Sequence, residues 1–188
     1  MSNISFEDRV VIVTGAGNGL GKAYALELGN RGAKVVVNDL GGSVDGSGSA
    51  SSPADEVANE IIENGGEAVA NYDSVATKEG GESIVQSAID NFGTVDAVIN
   101  NAGILRDKSF ANMSEEELSL IIDVHLKGTF FVSQPAFKVM KEKNYGRIVN
   151  VASPSGLFGN FGQSNYGAAK MGIVGLTNVL AIEGAKYN

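Results

Sequence analysis

Short apolar runs alternating with helical stretches predict an α/β chain, a doubly wound parallel sheet in three α/β/α layers. Three observations carry that expectation. Val10-Val11-Ile12-Val13 is apolar without interruption, as in a strand buried on both faces. The glycine-rich turn Thr14–Gly21 and a helical segment follow it directly. The alternation then continues along the chain, with no internal repeat and no linker between domains. The 188 residues fit a single domain large enough to bury a core.

Taken in order, the first strand, Val10 to Val13, closes at Thr14-Gly15, and a helix runs from about Gly19 to Arg31 before Gly32 ends it. Lys34 to Asn38 is the second strand, with Asp39 at its end. Gly41 to Ser52 is rich in Gly and Ser and reads as a surface loop. Pro53, with Ser52 before it, opens a helix to about Asn64. Glu67 to Asn71 is the third strand, Glu82 to Phe92 a helix, and Val95 to Asn100 the fourth strand. Ser114-Glu115-Glu116-Glu117 has capping-box spacing and opens a long helix to about Lys143, with a kink expected at Pro135. Gly146 to Ala152 is the fifth strand, and the last helix runs from about Ser164 to Lys186. That helix carries Met171, Ile173, Val174, Leu176, Val179, Leu180 and Ile182 on more than one face. A helix apolar all round is buried on both sides. One side belongs on the sheet, the other under either a second copy of the chain or further polypeptide, and a homo-oligomer through the last two helices is expected.

Composition narrows the function. A net charge of −8 without a basic cluster argues against nucleic acid or an anionic membrane as the main partner. No Cys and a single His, His125, exclude disulfides, Cys-based metal sites and multi-His sites, so no metal is expected. No G-x-S-x-G occurs, which speaks against a hydrolase. No apolar run reaches membrane-spanning length, Met1 to Asp8 lacks a signal-peptide pattern, and Lys186-Tyr187-Asn188 is not a peroxisomal address, so the cytoplasm is the expected location.

Thr14-Gly15-Ala16-Gly17-Asn18-Gly19-Leu20-Gly21 lies between a strand and its helix. Glycines there let the backbone approach a pyrophosphate, and the helix N-terminus supplies unpaired N–H groups. Gly21-Lys22 looks like the end of a phosphate-binding loop, but Ala23 stands where a Ser or Thr is required. Asp39, at the end of the second strand, is placed to accept hydrogen bonds from an adenosine ribose and to repel a 2′-phosphate. It also fits as an ordinary turn residue. No Arg or Lys occurs between Thr14 and Gly21, and NAD is expected rather than NADP.

Tyr166 and Lys170 share one helix face at i and i+4. An ammonium about 4 Å from a phenol at an effective dielectric of about 20 is worth roughly 4 kcal/mol. That is enough to bring a Tyr pKa of about 10 toward 7 as an upper bound, giving a general acid or base near neutral pH.

The Thr14–Gly21 loop, Asn100-Asn101-Ala102-Gly103, Ser153 and Tyr166-x-x-x-Lys170 occur in an order that resembles the short-chain dehydrogenase/reductase family, whose domain is a Rossmann fold. Val37-Asn38-Asp39-Leu40-Gly41-Gly42, Asn71-Tyr72-Asp73-Ser74-Val75, Asn101 to Asp107 and Gly159 to Gln163 are similar to one branch. It comprises the (3R)-hydroxyacyl-CoA dehydrogenase domains of type 2 multifunctional enzymes and their bacterial stand-alone relatives. The resemblance implies hydride transfer between NAD and a small-molecule secondary alcohol or ketone, such as a 3-hydroxyacyl or 3-oxoacyl thioester. By the same resemblance Tyr166 exchanges the proton and Ser153 holds the oxygen, with Ser155 its rival. Lys170 lowers the Tyr166 pKa and binds the nicotinamide ribose. Gly15, Asn18, Gly19, Leu20, Gly21 and Asp39 bind the cofactor, Asp73 and Ser74 contact adenine, and Asn101, Ala102 and Gly103 contact the adenosine ribose and backbone. His125 stands where most members have Asn in a proton relay; it is either a structural residue or continues that relay.

Family members continue from the final helix into further strands and a segment that closes over the nicotinamide. The 188 residues are therefore expected to form a C-terminally truncated domain that lacks the substrate lid. Weak turnover, or nucleotide binding without turnover, is the alternative to full activity.

Overall fold

The computed structural model describes residues 4–43, 45–48 and 52–188. Five strands form one sheet: β1 (Val10–Thr14), β2 (Lys34–Asn38), β3 (Glu67–Asn71), β4 (Ala97–Asn100) and β5 (Arg147–Asn150). All pairings are parallel and the order is β3-β2-β1-β4-β5. The order reverses at β1, so a crevice opens beyond the carboxyl ends of β1 and β4, where ligands bind in such sheets.

Alternation along the buried strands divides the core. Val10, Ile12 and Val36 face α3 (Lys78–Phe92) and α5 (Gly128–Glu142), meeting Ile84, Val85, Val132 and Ala136. Val11, Val13, Val35 and Val37 face the other way, onto α1 (Gly19–Asn30) and α2 (Ser52–Glu63), meeting Ala25, Val57 and Ile61. Each fully buried Val or Ile contributes roughly 1.5–3 kcal/mol relative to exposure. Close approach sets both layers. A Cβ on Gly29 would lie 2.7 Å from Ile61, and one on Gly81 would lie 2.5 Å from the Phe131 backbone.

The remaining helices are α4 (Glu115–Ile121), α6 (Pro154–Phe158) and α7 (Ser164–Gly184). The Ser114–Glu117 capping box is present, but the helix it opens is not uniform. A π-helical stretch over Ile122–Lys127 separates α4 from α5. Pro135 lies within α5, so the break in α-helical hydrogen bonding falls well before the proline. α3 begins four residues earlier than expected because Thr77 caps it, its hydroxyl accepting from the Gly80 N–H at 3.1 Å. α6 is absent from the elements expected above. The fourth and fifth strands are shorter than expected, and α7 gives way to a 3₁₀ turn, Ala185–Tyr187. Residues 44 and 49–51 of the expected Gly41–Ser52 loop, and residues 1–3 of the N-terminal stretch, lie outside the described residues; Ser52 itself begins α2.

At the opposite end of the sheet Asp96, 6% exposed, bolts three segments together. Its Oδ2 accepts from the Val10 N–H at 2.8 Å, and its Oδ1 meets Lys143 Nζ at 2.6 Å and Arg9 at 3.5 Å. One face of α7 is buried through Ala169, Ile173 and Leu176. The other leaves Met171, Val179 and Ile182 half to four-fifths exposed, so the helix is not covered on both sides here.

Candidate active site

Thr14 organises the crevice. Its hydroxyl accepts from the N–H groups of Asn101 and Ala102, both at 3.1 Å. The Asn101 side-chain amide in turn donates to the carbonyls of Thr14 and Gly15, both at 3.0 Å. The glycine turn is thereby fastened to the end of β4. Gly15 and Gly19 hold φ values of +63° and +54°, a region that disfavours side chains. A Cβ at Gly15 would stand 2.7 Å from the Ala102 Cα, and one at Gly21 only 2.0 Å from the Gly15 carbonyl oxygen. Gly21 therefore seats α1 against the turn and lies behind the cleft wall rather than on it. α1 has no side-chain cap at Asn18, which leaves its first N–H groups for a ligand.

The cleft so formed measures about 690 Å³. Gly15, Asn18, Gly19, Leu20, Asp39, Asp73, Ser74, Asn101, Ala102 and Gly103 all line it, with Ile104, Leu120 and Val124 at its far side. Asp39 closes one end. Its Oδ2 accepts from the Gly17 N–H at 2.8 Å and its Oδ1 from the Gly41 N–H at 2.7 Å. These bonds fix the carboxylate beside the glycine turn. Asp73 is held by Ser83, whose hydroxyl donates to Oδ2 at 2.7 Å, and by Asn71 Nδ2 at 2.9 Å. The Ser74 hydroxyl accepts from the Ala76 N–H at 3.2 Å.

Glycines that admit no Cβ, an uncapped helix N-terminus and a fixed carboxylate fit a dinucleotide. They would seat its pyrophosphate on the turn and its adenosine toward Asp39 and Asp73.

Tyr166 and Lys170 stand past the other end of the cleft, on the first turns of α7. Lys170 is 3% exposed, and its ammonium donates to the Val151 carbonyl at 2.6 Å. It lies 5.6 Å from the centroid of the Tyr166 ring. Burial pulls its pKa down from 10.5 to about 8. Tyr166 is half-buried, and among the described residues its hydroxyl makes no hydrogen bond. α6 packs on these turns closely enough that a Cβ on Gly156 would lie 2.9 Å from the Met171 nitrogen. Ser153 caps α6, accepting from the Ser155 N–H at 3.2 Å, and its own hydroxyl proton has no acceptor among the described residues. Ser155 differs. Its hydroxyl donates to Gln163 Oε1 at 2.8 Å, and Gln163 donates onward to Asp107 at 2.8 Å. That engagement leaves Ser153 as the hydroxyl with a proton to offer.

His125 joins the two regions. It lies in the π-helical stretch, 3% exposed, with Nε2 2.8 Å from the Ile104 carbonyl oxygen and 3.1 Å from the Ile104 N–H. The shorter contact assigns the proton to Nε2, donating to the carbonyl. Nδ1 is buried without a partner among the described residues. Burial, and then the Lys170 charge, push the imidazole from 6.5 down to about 4, so it is neutral at pH 7. Its ring meets that of Tyr166 edge-on, centroids 5.0 Å apart. Gly103 is explained by the same ring, since a Cβ there would fall 2.4 Å from His125 Cε1.

Several residues of the site are missing from the expectations drawn from sequence. Thr14 reads there as a strand end and the first residue of the glycine turn, with no role for its hydroxyl. Asn38 and Asn71 pair side chain to side chain at 2.8 Å, as do Asn100 and Asn150 at 2.8 Å. A signal for them exists: β2 to β5 read VVVN, AVAN, AVIN and RIVN, an Asn closing each run. Asn165, fully buried beside Tyr166, carries no pattern at all.

The family model described as short chain dehydrogenase matches residues 9–188. The chain is 62% identical over 186 residues to the peroxisomal hydratase-dehydrogenase-epimerase of Saccharomyces cerevisiae, covering 99% of this chain and 20% of that protein. It is 58% identical over 187 residues to the peroxisomal multifunctional enzyme type 2 of Mus musculus, covering 100% of this chain and 25% of that one. The chain thus spans a quarter or less of the length of these two relatives. Among solved structures, that of NAD⁺-bound xylitol dehydrogenase superposes with a TM-score of 0.90 at 29% identity, covering 98% of this chain and 68% of that one.

Proposed function

Since the chain belongs to the short-chain dehydrogenase family, we propose that it is an NAD-dependent oxidoreductase acting on a secondary alcohol or ketone, with a 3-hydroxyacyl or 3-oxoacyl thioester as the substrate class. The observation that carries the chemistry is Lys170, a buried cation held by the Val151 carbonyl beside Tyr166. Two relatives support the substrate class, one named a hydratase-dehydrogenase-epimerase and the other a multifunctional enzyme. Asp39 supports NAD: a carboxylate fixed by two backbone N–H groups accepts from ribose hydroxyls and repels a 2′-phosphate.

In the alcohol-to-ketone direction, Ser153 donates a hydrogen bond to the substrate oxygen and Tyr166 takes the hydroxyl proton at its phenolic oxygen. The Lys170 ammonium stabilises the Tyr166 phenolate that accepts this proton, and the proton transfer leaves Tyr166 neutral. A nicotinamide held in the cleft would supply the acceptor for the hydride from the carbinol carbon. In reduction Tyr166 returns the proton. Replacing Tyr166 by Phe removes the proton acceptor, and NADH formation from a (3R)-3-hydroxyacyl thioester should fall by about a hundredfold or more. A Tyr166→Phe protein that keeps its rate overturns the assignment.

A second reading is favoured by β5, an edge strand with Val149 52% exposed, and by the bare face of α7. In this reading the 188 residues hold the cofactor cleft and the catalytic pair but not the wall that encloses the acyl group. They would bind NADH and turn over weakly. Ordinary enzyme rates from the 188-residue chain would dispose of it.

We also assign the exposed apolar faces of α5 and α7, including Phe130 and Val179, to contact with a second copy. Sedimentation tests this, and a monomer at high concentration refutes it. No helix among the described residues is long and apolar enough to cross a membrane. The proposed location is the cytoplasm, with the peroxisome named by the relatives as the alternative that imaging of a tagged protein decides.

A further inference from the structure

We propose that Asn165 is a positioning residue that fixes Tyr166 against the wall of the cofactor cleft. The proposal rests on the reading of Tyr166 as the proton-transfer residue. Asn165 is fully buried, and its side chain makes three hydrogen bonds, using both amide N–H groups and the carbonyl oxygen. Nδ2 donates to the Arg106 carbonyl at 3.0 Å and to the Glu117 carbonyl at 3.1 Å, while Oδ1 accepts from the Tyr166 N–H at 2.7 Å. Three separate pieces of chain meet at one amide. Arg106 follows Gly103 and Ile104, which line the cleft; Glu117 closes the capping box of α4; Tyr166 begins the catalytic face of α7.

The third bond answers a need of the helix. N–H groups in a first helical turn have no intrahelical acceptor, and Gln163 before α7 gives no side-chain cap. Asn165 satisfies the N–H of Tyr166 itself. No other side chain of this size does the same work. Leu fills the volume but removes the partner of the Tyr166 N–H and of the Arg106 and Glu117 carbonyls, and Asp sets a negative charge against those two carbonyl oxygens.

Tyr166 is located from its other side as well. Its ring abuts His125, which is bound to Ile104, two residues before Arg106. Backbone and ring of Tyr166 are thus both referred to the segment Gly103–Arg106, the first through Asn165 and the second through His125. Without Asn165 the first turn of α7 loses its tie to that segment. A displacement of about 1 Å is enough to cost about a hundredfold in rate.

His125 is the only histidine, so its ring protons form an isolated probe of the Tyr166 ring in NMR spectra of the cofactor-free protein. In Asn165→Leu and Asn165→Ser these resonances should shift as the edge-on contact is lost. In Asp96→Asn, destabilised at the far end of the sheet, they should stay in place. With cofactor and substrate, kcat should fall tenfold to a hundredfold in the Asn165 variants, with NADH affinity within about twofold of wild type. Unchanged His125 resonances in a folded Asn165→Ser protein overturn the proposal, whatever its Tm. Wild-type hydrogen exchange is independent of any variant's folding. The Tyr166 amide should exchange at least tenfold more slowly than that of exposed Ser164, and equal rates overturn the proposal. A wild-type chain without NAD-dependent turnover would refute the functional reading while leaving the NMR result for Asn165 intact.

Discussion

The ammonium of Lys170 rests on the carbonyl oxygen of Val151, 2.6 Å away, in a place only 3% exposed. A buried charge compensated by one carbonyl is a cost to the fold. Lys170→Met should therefore raise stability at neutral pH by about 1–2 kcal/mol while lowering turnover by at least about a hundredfold. Folded Lys170 releases its proton near pH 8, against 10.5 for the unfolded residue, so the unfolded chain binds more protons between these values. Wild-type stability should rise with pH across that interval, and the variant should lack the rise. Urea midpoints from pH 7 to 11 test both statements.

His125 gives the matching effect in acid. Neutral when folded down to about pH 4, it charges near 6.5 once unfolded. Stability should fall as pH drops from 6.5 to 4, by a total of the order of 3 kcal/mol from this residue. Below pH 4 its contribution should flatten. His125→Gln should abolish this part of the slope, and a variant with the wild-type slope would remove His125 as its source.

Asp39 bears on cofactor choice. In Asp39→Ala the Gly17 and Gly41 N–H groups lose their acceptor, and the charge facing a 2′-phosphate disappears. NADH binding should weaken by about tenfold, from the loss of one or two charge-assisted bonds, and the NADH-to-NADPH affinity ratio should fall toward one. Fluorescence titration with each nucleotide reads both quantities; an unchanged ratio removes Asp39 from the explanation.

Asp96 separates stability from function. Asp96→Asn keeps an acceptor for the Val10 N–H but leaves Lys143 and Arg9 unneutralised, at an expected cost of about 2–4 kcal/mol. NADH affinity should change less than twofold, because the cleft lies at the other end of the strands. Thermal unfolding and cofactor titration on the same sample decide it.

Strand identities and the site motifs are legible in the sequence because each is local: an uninterrupted apolar run, a glycine turn behind it, a phenol and an amine on one helix face. What stays hidden depends on partners distant in sequence. Lys78 to Gly81 fall before the helix expected from Glu82, yet Thr77 caps that stretch and Gly81 lets α3 approach the Phe131 backbone. Gly21 looks like a ligand contact, but its neighbour is the Gly15 carbonyl. The π-helical stretch has no periodicity of its own and appears where His125 is drawn in against Gly103. Ser153-Pro154 does carry a helix-start signature, capping residue followed by proline, hidden by a helix of five residues.

The contact between Gly103 and His125 also governs the order in which this site can change. A methyl group at position 103 collides with the imidazole, so Gly103→Ala alone should be rejected, whereas the same substitution after His125 has become a smaller residue has room. The two positions are therefore mutationally epistatic, with one permitted route and one blocked. A library randomising either position by itself would misjudge the tolerance of both.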